Sequence, residues 1–417
     1  VDKMAIVGGT KLNGEVSVSG AKNSALPLFF STLLAEGRHV FHNVPVLKDI
    51  ESATQLLSEL GNTVERKGQT LIIDIREPRT LEARYDLVRK MRASILCLGP
   101  LLTKHGEAQV SMPGGCAIGT RPIDQHIDGL RALGAEVTLE QGYVHAKAKR
   151  LVGATVVFDG VTVGGTENIL MAATLADGTT TIENAAKEPE IVDLANYLNK
   201  MGAKISGAGT SVITVQGVTS LKPAEHHIIA DRIEAGTLLI AGAITGGTVT
   251  VKDCIPEHIE GLVLKMREAG FRIQQESTSL HIEAQKDWKG VDISTAPFPG
   301  FATDLQAQYM ALMTVAHGTS IITENIFENR FMHVPELCRL NADIVAKTRV
   351  AIVRGKPEGL QAAPLMATDL RASACLVLAG LVAKGETVVS RIYHLDRGYE
   401  RLESKLTRLG AQIRRFE

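Results

Sequence analysis

Neither sign of charge prevails in this 417-residue sequence: 45 Lys and Arg stand against 46 Asp and Glu, for a formal net charge of −1. Nothing at the level of the whole chain therefore recruits nucleic acid or an anionic membrane, and any anionic ligand must be held by local clusters of Arg and Lys. Long apolar runs are also missing. No stretch reaches the roughly 18 uninterrupted residues that a membrane-spanning helix needs. The opening residues, Val1-Asp2-Lys3-Met4-Ala5-Ile6-Val7-Gly8-Gly9, lack the basic-then-apolar layout of a secretory signal. Cysteine is scarce and odd in number: Cys97, Cys116, Cys254, Cys338 and Cys375. With no C-x-x-C pair, a zinc site, a metal of that kind or a two-thiol redox centre is not expected. A reducing cytoplasm is the expected location.

What the chain does have is an ordinary globular composition, 45% hydrophobic and 22% charged, and a length too great for one core. Two domains are expected. An internal period organises them. A helix-ending phrase recurs as Leu60-Gly61, Leu133-Gly134, Met201-Gly202, Ala269-Gly270, Leu340-Asn341 and Leu409-Gly410, at spacings of 68 to 73 residues. A second series, Gly37, Gly106, Gly178, Gly247, Gly318 and Gly385, keeps the same beat. Such self-similarity marks a repeated supersecondary unit.

Each repeat opens on an almost wholly apolar segment, at 25–34, 94–102, 169–176, 236–244, 307–316 and 373–381. A helix that is apolar all round must be buried. A Gly turn, a short strand, a second helix of mixed faces and further strands follow. The second helix should face solvent, as with Glu400, Arg401, Glu403 and Lys405 in the last repeat. The expected fold class is α/β, with three buried helices per domain ringed by outer helices and sheets.

The unusual residues gather at the mouths of these helices. Before or at the start of the buried one lie Lys22-Asn23, Arg92, Thr166-Glu167, Asp231-Arg232, Asp304, and Asp369 with Arg371. Capping accounts for Asp, Asn and Thr there but not for cations, which the helix macrodipole disfavours. A bound anion reverses that penalty. Thirteen residues before the closing Gly stand Lys48, Arg121 and Arg397, where a solvated surface role and a grip on phosphate or carboxylate are both open. Asp304 could cap its helix or accept a proton from a substrate hydroxyl.

Among the thiols, Cys97, Cys254, Cys338 and Cys375 lie in or beside apolar phrases and are expected to be buried and inert. Cys116 lies instead in Pro113-Gly114-Gly115-Cys116-Ala117-Ile118-Gly119-Thr120-Arg121, a glycine-rich run expected to form a hinged loop. Arg121, five residues on, favours thiolate.

Several of these phrases are long enough to carry a family likeness. Ser19-Gly20-Ala21-Lys22-Asn23-Ser24-Ala25-Leu26-Pro27, the Cys116 run through Pro122, Phe327-Glu328-Asn329-Arg330-Phe331-Met332-His333, Ala367-Thr368-Asp369-Leu370-Arg371-Ala372-Ser373 and Asp396-Arg397-Gly398-Tyr399-Glu400-Arg401 closely resemble the UDP-N-acetylglucosamine enolpyruvyl transferase family across essentially the whole chain. The resemblance implies two inside-out α/β domains, each of three βαβαββ repeats. Residues 21–229 would form the first, carrying the catalytic loop 111–121. Residues 1–20 plus 230–417 would form the second, with the active site in the interdomain cleft. It also implies the partners phosphoenolpyruvate and UDP-N-acetylglucosamine, and no metal or organic cofactor.

By the same resemblance, Lys22, Arg121 and Arg397 hold the phosphoenolpyruvate phosphate, and Arg371 and Arg397 neighbour its carboxylate. Arg92 belongs to the same neighbourhood. Asn23, Asp304 and Ile326 meet the amino sugar, with Asp304 as base. Arg121-Pro122-Ile123-Asp124-Gln125 and Val161-Thr162-Val163-Gly164 clasp uridine and diphosphate. Cys116 corresponds to the general acid, which in the family forms an adduct with phosphoenolpyruvate and is alkylated by fosfomycin. One departure is Gly160, where some relatives carry a basic residue. A self-repelling ring of cations implies an open form that closes on ligand, with the glycine-rich loop as lid. The alternatives on this fold are the shikimate-pathway enolpyruvyl transferases and a non-catalytic binding protein.

Overall fold

Six short sheets of four strands each make up the β-structure in the computed structural model, which describes residues 2–114 and 118–417. Cys116 lies outside the described residues. The third repeat shows the pattern most plainly. Strand Thr155–Val157 leads into helix Val163–Ala173, strand Thr179–Glu183, helix Pro189–Lys200, and strands Lys204–Ser206 and Val212–Gln216. The leading strand pairs parallel with Thr179–Glu183, which pairs antiparallel with Val212–Gln216, and Lys204–Ser206 takes the far edge. This is a βαβαββ unit, and five more follow the same order of pairing.

Three of the six are completed by strands distant in sequence. Residues Glu225–His227 pair parallel with Gly37–His42 and so supply the leading strand of the first repeat. Asn13–Ser17 does the same for Thr248–Lys252 in the fourth. Lys3–Val7 sits between Glu386–Ser390 and Gln412–Phe416, filling the last-strand slot of the sixth. The chain divides into two compact units, one holding residues 2–19, 118–119 and 230–417, the other residues 20–114 and 120–229. Each has its own apolar core.

The architecture is inside-out because the first helix of each repeat has no polar face to show. In Val163–Ala173, Ile169, Leu170, Met171, Ala172 and Ala173 are all fully buried, as are Leu238–Ala241 and Tyr309–Met313 in the other unit. The sheets lie outside them, with alternating burial such as that of Thr179–Glu183 and Val350–Arg354. Among the described residues no helix is long and apolar enough to cross a membrane.

The closing phrases behave as the period predicts. Gly61, Gly134, Gly202, Gly270 and Gly410 all have φ between 93° and 117°, and Asn341 stands in for glycine at 69°. Asn is the side chain that tolerates this left-handed region best. In the second series Gly247 differs. The positive φ there belongs to Gly246, whereas a Cβ on Gly247 would lie 1.8 Å from the Leu12 carbonyl oxygen, so close approach is what requires glycine.

Several local expectations are corrected. The apolar helices begin earlier than the hydrophobic run, because their caps lie upstream: Thr162 accepts from Gly165 N, Asp231 from Ile233 N and Glu234 N, and Asp369 from Arg371 N and Ala372 N. Two open instead as 3₁₀ turns, Arg92–Cys97 and Thr303–Leu305. Lys405 does not face solvent. Its ammonium is buried against the Glu234 carboxylate and donates to Ser19 Oγ at 2.8 Å. Cys338 is exposed, at the end of a short helix, Val334–Arg339, too brief to be covered on both sides.

Candidate active site

In the unit holding Gly20–Ile229, Lys22 opens helix Lys22–Ser31, whose preceding residue Ala21 provides no side-chain cap. The first backbone N–H groups and the ammonium thus share one end of the helix, an arrangement suited to an anion. Asp49, at the start of helix Lys48–Glu59, holds Lys22 Nζ at 3.0 Å, and both side chains are nearly buried. Asn23 follows, partly exposed. Lys48 points to solvent and pairs with Glu51 at 3.0 Å.

Arg92 starts its 3₁₀ turn beside His126. Burial pushes the His126 imidazole down to about 4, and the Arg92 charge adds to this while Asp124 opposes it. Arg121 takes a left-handed φ of 42° before Pro122, Ile123 is buried, and Asp124 begins helix Asp124–Ala132. The two segments assigned by resemblance to the nucleotide lie together. Gly160 N donates to Gln125 Oε1 at 3.3 Å, and His126 Nδ1 lies 3.1 Å from Asn168 Nδ2 on the helix that Thr162 caps. A Cβ on Gly164 would lie 3.1 Å from the His126 ring, so the residue must be small for the two segments to meet. Val161 and Val163 are exposed there.

In the other unit Asp304 does not cap. Its 3₁₀ turn has no side-chain cap, and its carboxylate is gripped instead by two guanidinium groups: Arg330 at 2.8 Å on Oδ1 and Arg371 at 3.2 Å on Oδ2. The side chains of Arg330 and Arg371 are 9% and 6% exposed, that of Asp304 25%, so the open side of this cluster is the carboxylate. Arg371 also stacks over Tyr399, with its carbon 5.3 Å from the ring centre. Its Nη1 is buried and has no hydrogen-bond partner among the described residues. A buried donor on a cation costs free energy unless a ligand completes it.

Arg397 ends the 3₁₀ turn Ile392–Arg397, and Gly398 lets that turn press on the Arg371 helix, since a Cβ would lie 2.5 Å from Leu370 Cδ2. Burial, then the Arg397 charge, lower the pKa of His394, with Asp369 opposing. Ile326 lies partly exposed on the loop after strand Thr319–Thr323, its N–H bound to Glu324 Oε2 at 2.9 Å.

Each unit therefore assembles its own part of the set: Lys22, Asn23, Arg92, residues 121–125 and 161–164 in one, and Asp304, Ile326, Arg371 and Arg397 in the other. Arg330, Asp49 and His126 belong beside them and were not singled out from sequence. Arg330 carried a signal, since it stands in the Phe327–His333 phrase. Asp49 and His126 had none beyond adjacency to Lys48 and Gln125. The buried thiols behave as expected: burial pushes Cys97 up to about 12 and Cys254 up to about 11.

Comparison with known proteins extends these observations. Residues 6–406 match the family described as EPSP synthase (3-phosphoshikimate 1-carboxyvinyltransferase). A UDP-N-acetylglucosamine 1-carboxyvinyltransferase of Bdellovibrio bacteriovorus is 66% identical over 99% of this chain and 100% of its own. One of Myxococcus xanthus is 58% identical over 100% of this chain and 99% of its own. Among solved structures, the enolpyruvyl transferase NikO from Streptomyces tendae matches with a TM-score of 0.89 and 25% identity, over 99% of this chain and 98% of that one. EPSP synthase from Acinetobacter baumannii matches at a TM-score of 0.77 over 100% of both chains, and at 17% identity it bears on the fold alone.

Proposed function

The chain belongs to the EPSP synthase (3-phosphoshikimate 1-carboxyvinyltransferase) family, and from that premise we propose that it transfers the enolpyruvyl group of phosphoenolpyruvate to the 3-hydroxyl of UDP-N-acetylglucosamine. Phosphate is released, and the product is the first committed intermediate of peptidoglycan synthesis. The observation that carries this reading over the shikimate alternative is the contrast in similarity. Full-length relatives named for UDP-N-acetylglucosamine share well over half their residues with this chain, and the EPSP synthase under a fifth.

The chemistry divides among the side chains as follows. Cys116 in its thiol form protonates the methylene carbon of phosphoenolpyruvate, which leaves oxocarbenium character at the carbon bearing phosphate. The sugar 3-hydroxyl attacks that carbon as Asp304 takes its proton, giving a tetrahedral ketal. The Cys116 thiolate takes back one methyl proton, the C–H electron pair re-forms the C=C bond, the C–O bond to phosphate breaks with its electron pair, and the proton held by Asp304 passes to the departing phosphate. A well-placed acid or base contributes about 10²–10⁴-fold.

Lys22, Arg121 and Arg397 hold the phosphate, and Arg371 with Arg397 holds the carboxylate, for which Arg371 Nη1, unpartnered among the described residues, is a ready donor. These charges are in place before reaction, so they stabilise the leaving group without reorganising. Asn23, Asp304 and Ile326 meet the amino sugar. Residues 121–125 with 161–164 take uridine and diphosphate, and Gly160 adds no side chain there. A thiol acid needs reduced sulfur, so we place the reaction in the cytoplasm.

Phosphate release in the presence of phosphoenolpyruvate tests the reading. Turnover is expected with UDP-N-acetylglucosamine and not with shikimate 3-phosphate. Release with shikimate 3-phosphate alone, or with neither acceptor, sinks it.

A further inference from the structure

A carboxylate that no step above uses lies at the centre of the Asp304 neighbourhood. Glu324 follows strand Thr319–Thr323 and is 1% exposed. Its Oε1 accepts from Thr303 Oγ1 at 2.8 Å and Gln306 Nε2 at 3.2 Å. Its Oε2 accepts from Thr295 Oγ1 at 2.8 Å and from the N–H groups of Ile326 at 2.9 Å and Phe327 at 3.3 Å. Burial alone demands that such a group be paired, and one or two donors would satisfy it. Here five donors converge, and several of them lead to the site.

Thr303 precedes Asp304. Its hydroxyl donates to Glu324 while accepting from Arg330 Nη1 at 2.9 Å, and Arg330 Nη2 grips Asp304 Oδ1 at 2.8 Å. Gln306 Nε2, a second donor to Glu324, also donates to the Arg330 carbonyl at 3.0 Å. A hydroxyl has one proton, so an acceptor-only group on one side turns its lone pairs toward the guanidinium on the other. The chain Glu324–Thr303–Arg330–Asp304 thus fixes one oxygen of Asp304, while Arg371 fixes the second at 3.2 Å. The Ile326 and Phe327 N–H groups on the same carboxylate set the course of the loop assigned to the sugar.

We infer that Glu324 is a positioning residue for the transfer: it touches no substrate, but it aligns the base Asp304 through Thr303 and Arg330 and holds the Ile326 loop for the amino sugar. This rests on Asp304 being the base, as proposed above. The role is specific to the sugar end of the reaction. Phosphoenolpyruvate affinity should change little when Glu324 is altered.

The test is steady-state phosphate release by the full-length enzyme and its Glu324→Gln, Thr303→Val, Thr303→Ser and Asp304→Asn variants, over a range of pH. Glu324→Gln presents an N–H where two donors now point. It should lose roughly 10–100-fold in kcat/KM for UDP-N-acetylglucosamine, the scale of a small misplacement of a reacting group. KM for phosphoenolpyruvate should stay within about twofold, and the acidic limb of the kcat profile, which reports the base, should move. Thr303→Val keeps Glu324 but cuts the chain, and should fall alike. Thr303→Ser restores the hydroxyl and should recover most of the rate, which a loss of packing would not allow. Loss of turnover in Asp304→Asn beside wild-type kinetics in Glu324→Gln or Thr303→Val overturns the positioning role alone. Wild-type turnover in Asp304→Asn overturns the base assignment, and this inference with it.

Discussion

His39 offers a way to measure what the core of one unit spends on a buried imidazole. The side chain is fully buried, with Nε2 2.8 Å from the Ala35 carbonyl oxygen and Nδ1 against the Tyr197 hydroxyl. That pattern suits the neutral ring, one nitrogen donating and the other accepting. Burial pushes its pKa down to about 4 from 6.5, with the Ala35 bond and Asp74 opposing. The folded state therefore binds its proton less readily than the unfolded chain. Stability is unaffected above about pH 6.5 and is lost as pH falls from there toward about 4. At pH 5 the loss from this one group comes to about 2 kcal/mol, or about 30-fold in an opening equilibrium. We predict that His39→Gln, whose amide keeps one donor and one acceptor but does not titrate, removes that increment. His126 and His333, both also lowered to about 4 by burial, remain in the variant, so the comparison isolates one residue. Hydrogen exchange of the amides of Gly37–His42 and Lys22–Ser31, corrected for the intrinsic rate, reads the core of this unit directly. Protection in the wild type should fall about 30-fold further between pH 7 and pH 5 than in the variant. An identical fall in both proteins would refute the reasoning.

Two further predictions concern ligands. Asp49→Asn removes the anion that holds Lys22 at 3.0 Å, and we expect a loss of about 3 kcal/mol, the lower range for breaking a buried pair. Phosphoenolpyruvate should then raise the unfolding temperature more in the variant than in the wild type, because its phosphate replaces the missing charge; an equal or smaller rise would remove Lys22 from the phosphate site. Cys116→Ser should lose most turnover, whereas Cys116→Asp should retain activity and escape thiol alkylation at residue 116. Peptide mapping is the required readout, because Cys338 is exposed and will label as well; full activity in Cys116→Ala would remove the acid role.

The repeats were legible because their punctuation is a backbone property. A left-handed residue closes each outer helix, and only Gly or Asn takes that place comfortably, so Gly61 through Gly410 appear in the sequence as a beat. Helix starts were less legible. Hydrophobicity marks where burial begins, but Asp231 and Asp369 cap the helix ahead of that point. The placement of cations at helix mouths could be read from charge, since Lys22 and Arg371 do stand at helix starts. What surrounds Asp304 could not. Its partners Arg330 and Arg371 lie 26 and 67 residues away and meet it only through the fold. Lys405 misled for a related reason: a lysine on a mixed helix reads as solvated until Glu234, from another repeat, is found beneath it.

The strand Lys3–Val7 has a bearing on how the chain is made. It leaves the ribosome long before either of its neighbours, Glu386–Ser390 and Gln412–Phe416. Until they are made it lacks both ladder partners, and its backbone amides stay open to other chains. The unit holding Gly20–Ile229 faces no such wait, because Glu225–His227 closes its first sheet as soon as that segment emerges. Birth order thus favours one half maturing early, with the other deferred until the last strand arrives. A circularly permuted gene that joins residue 417 to residue 2 would put the sixth sheet's strands back in sequence, and should shorten the interval in which the nascent protein depends on chaperones.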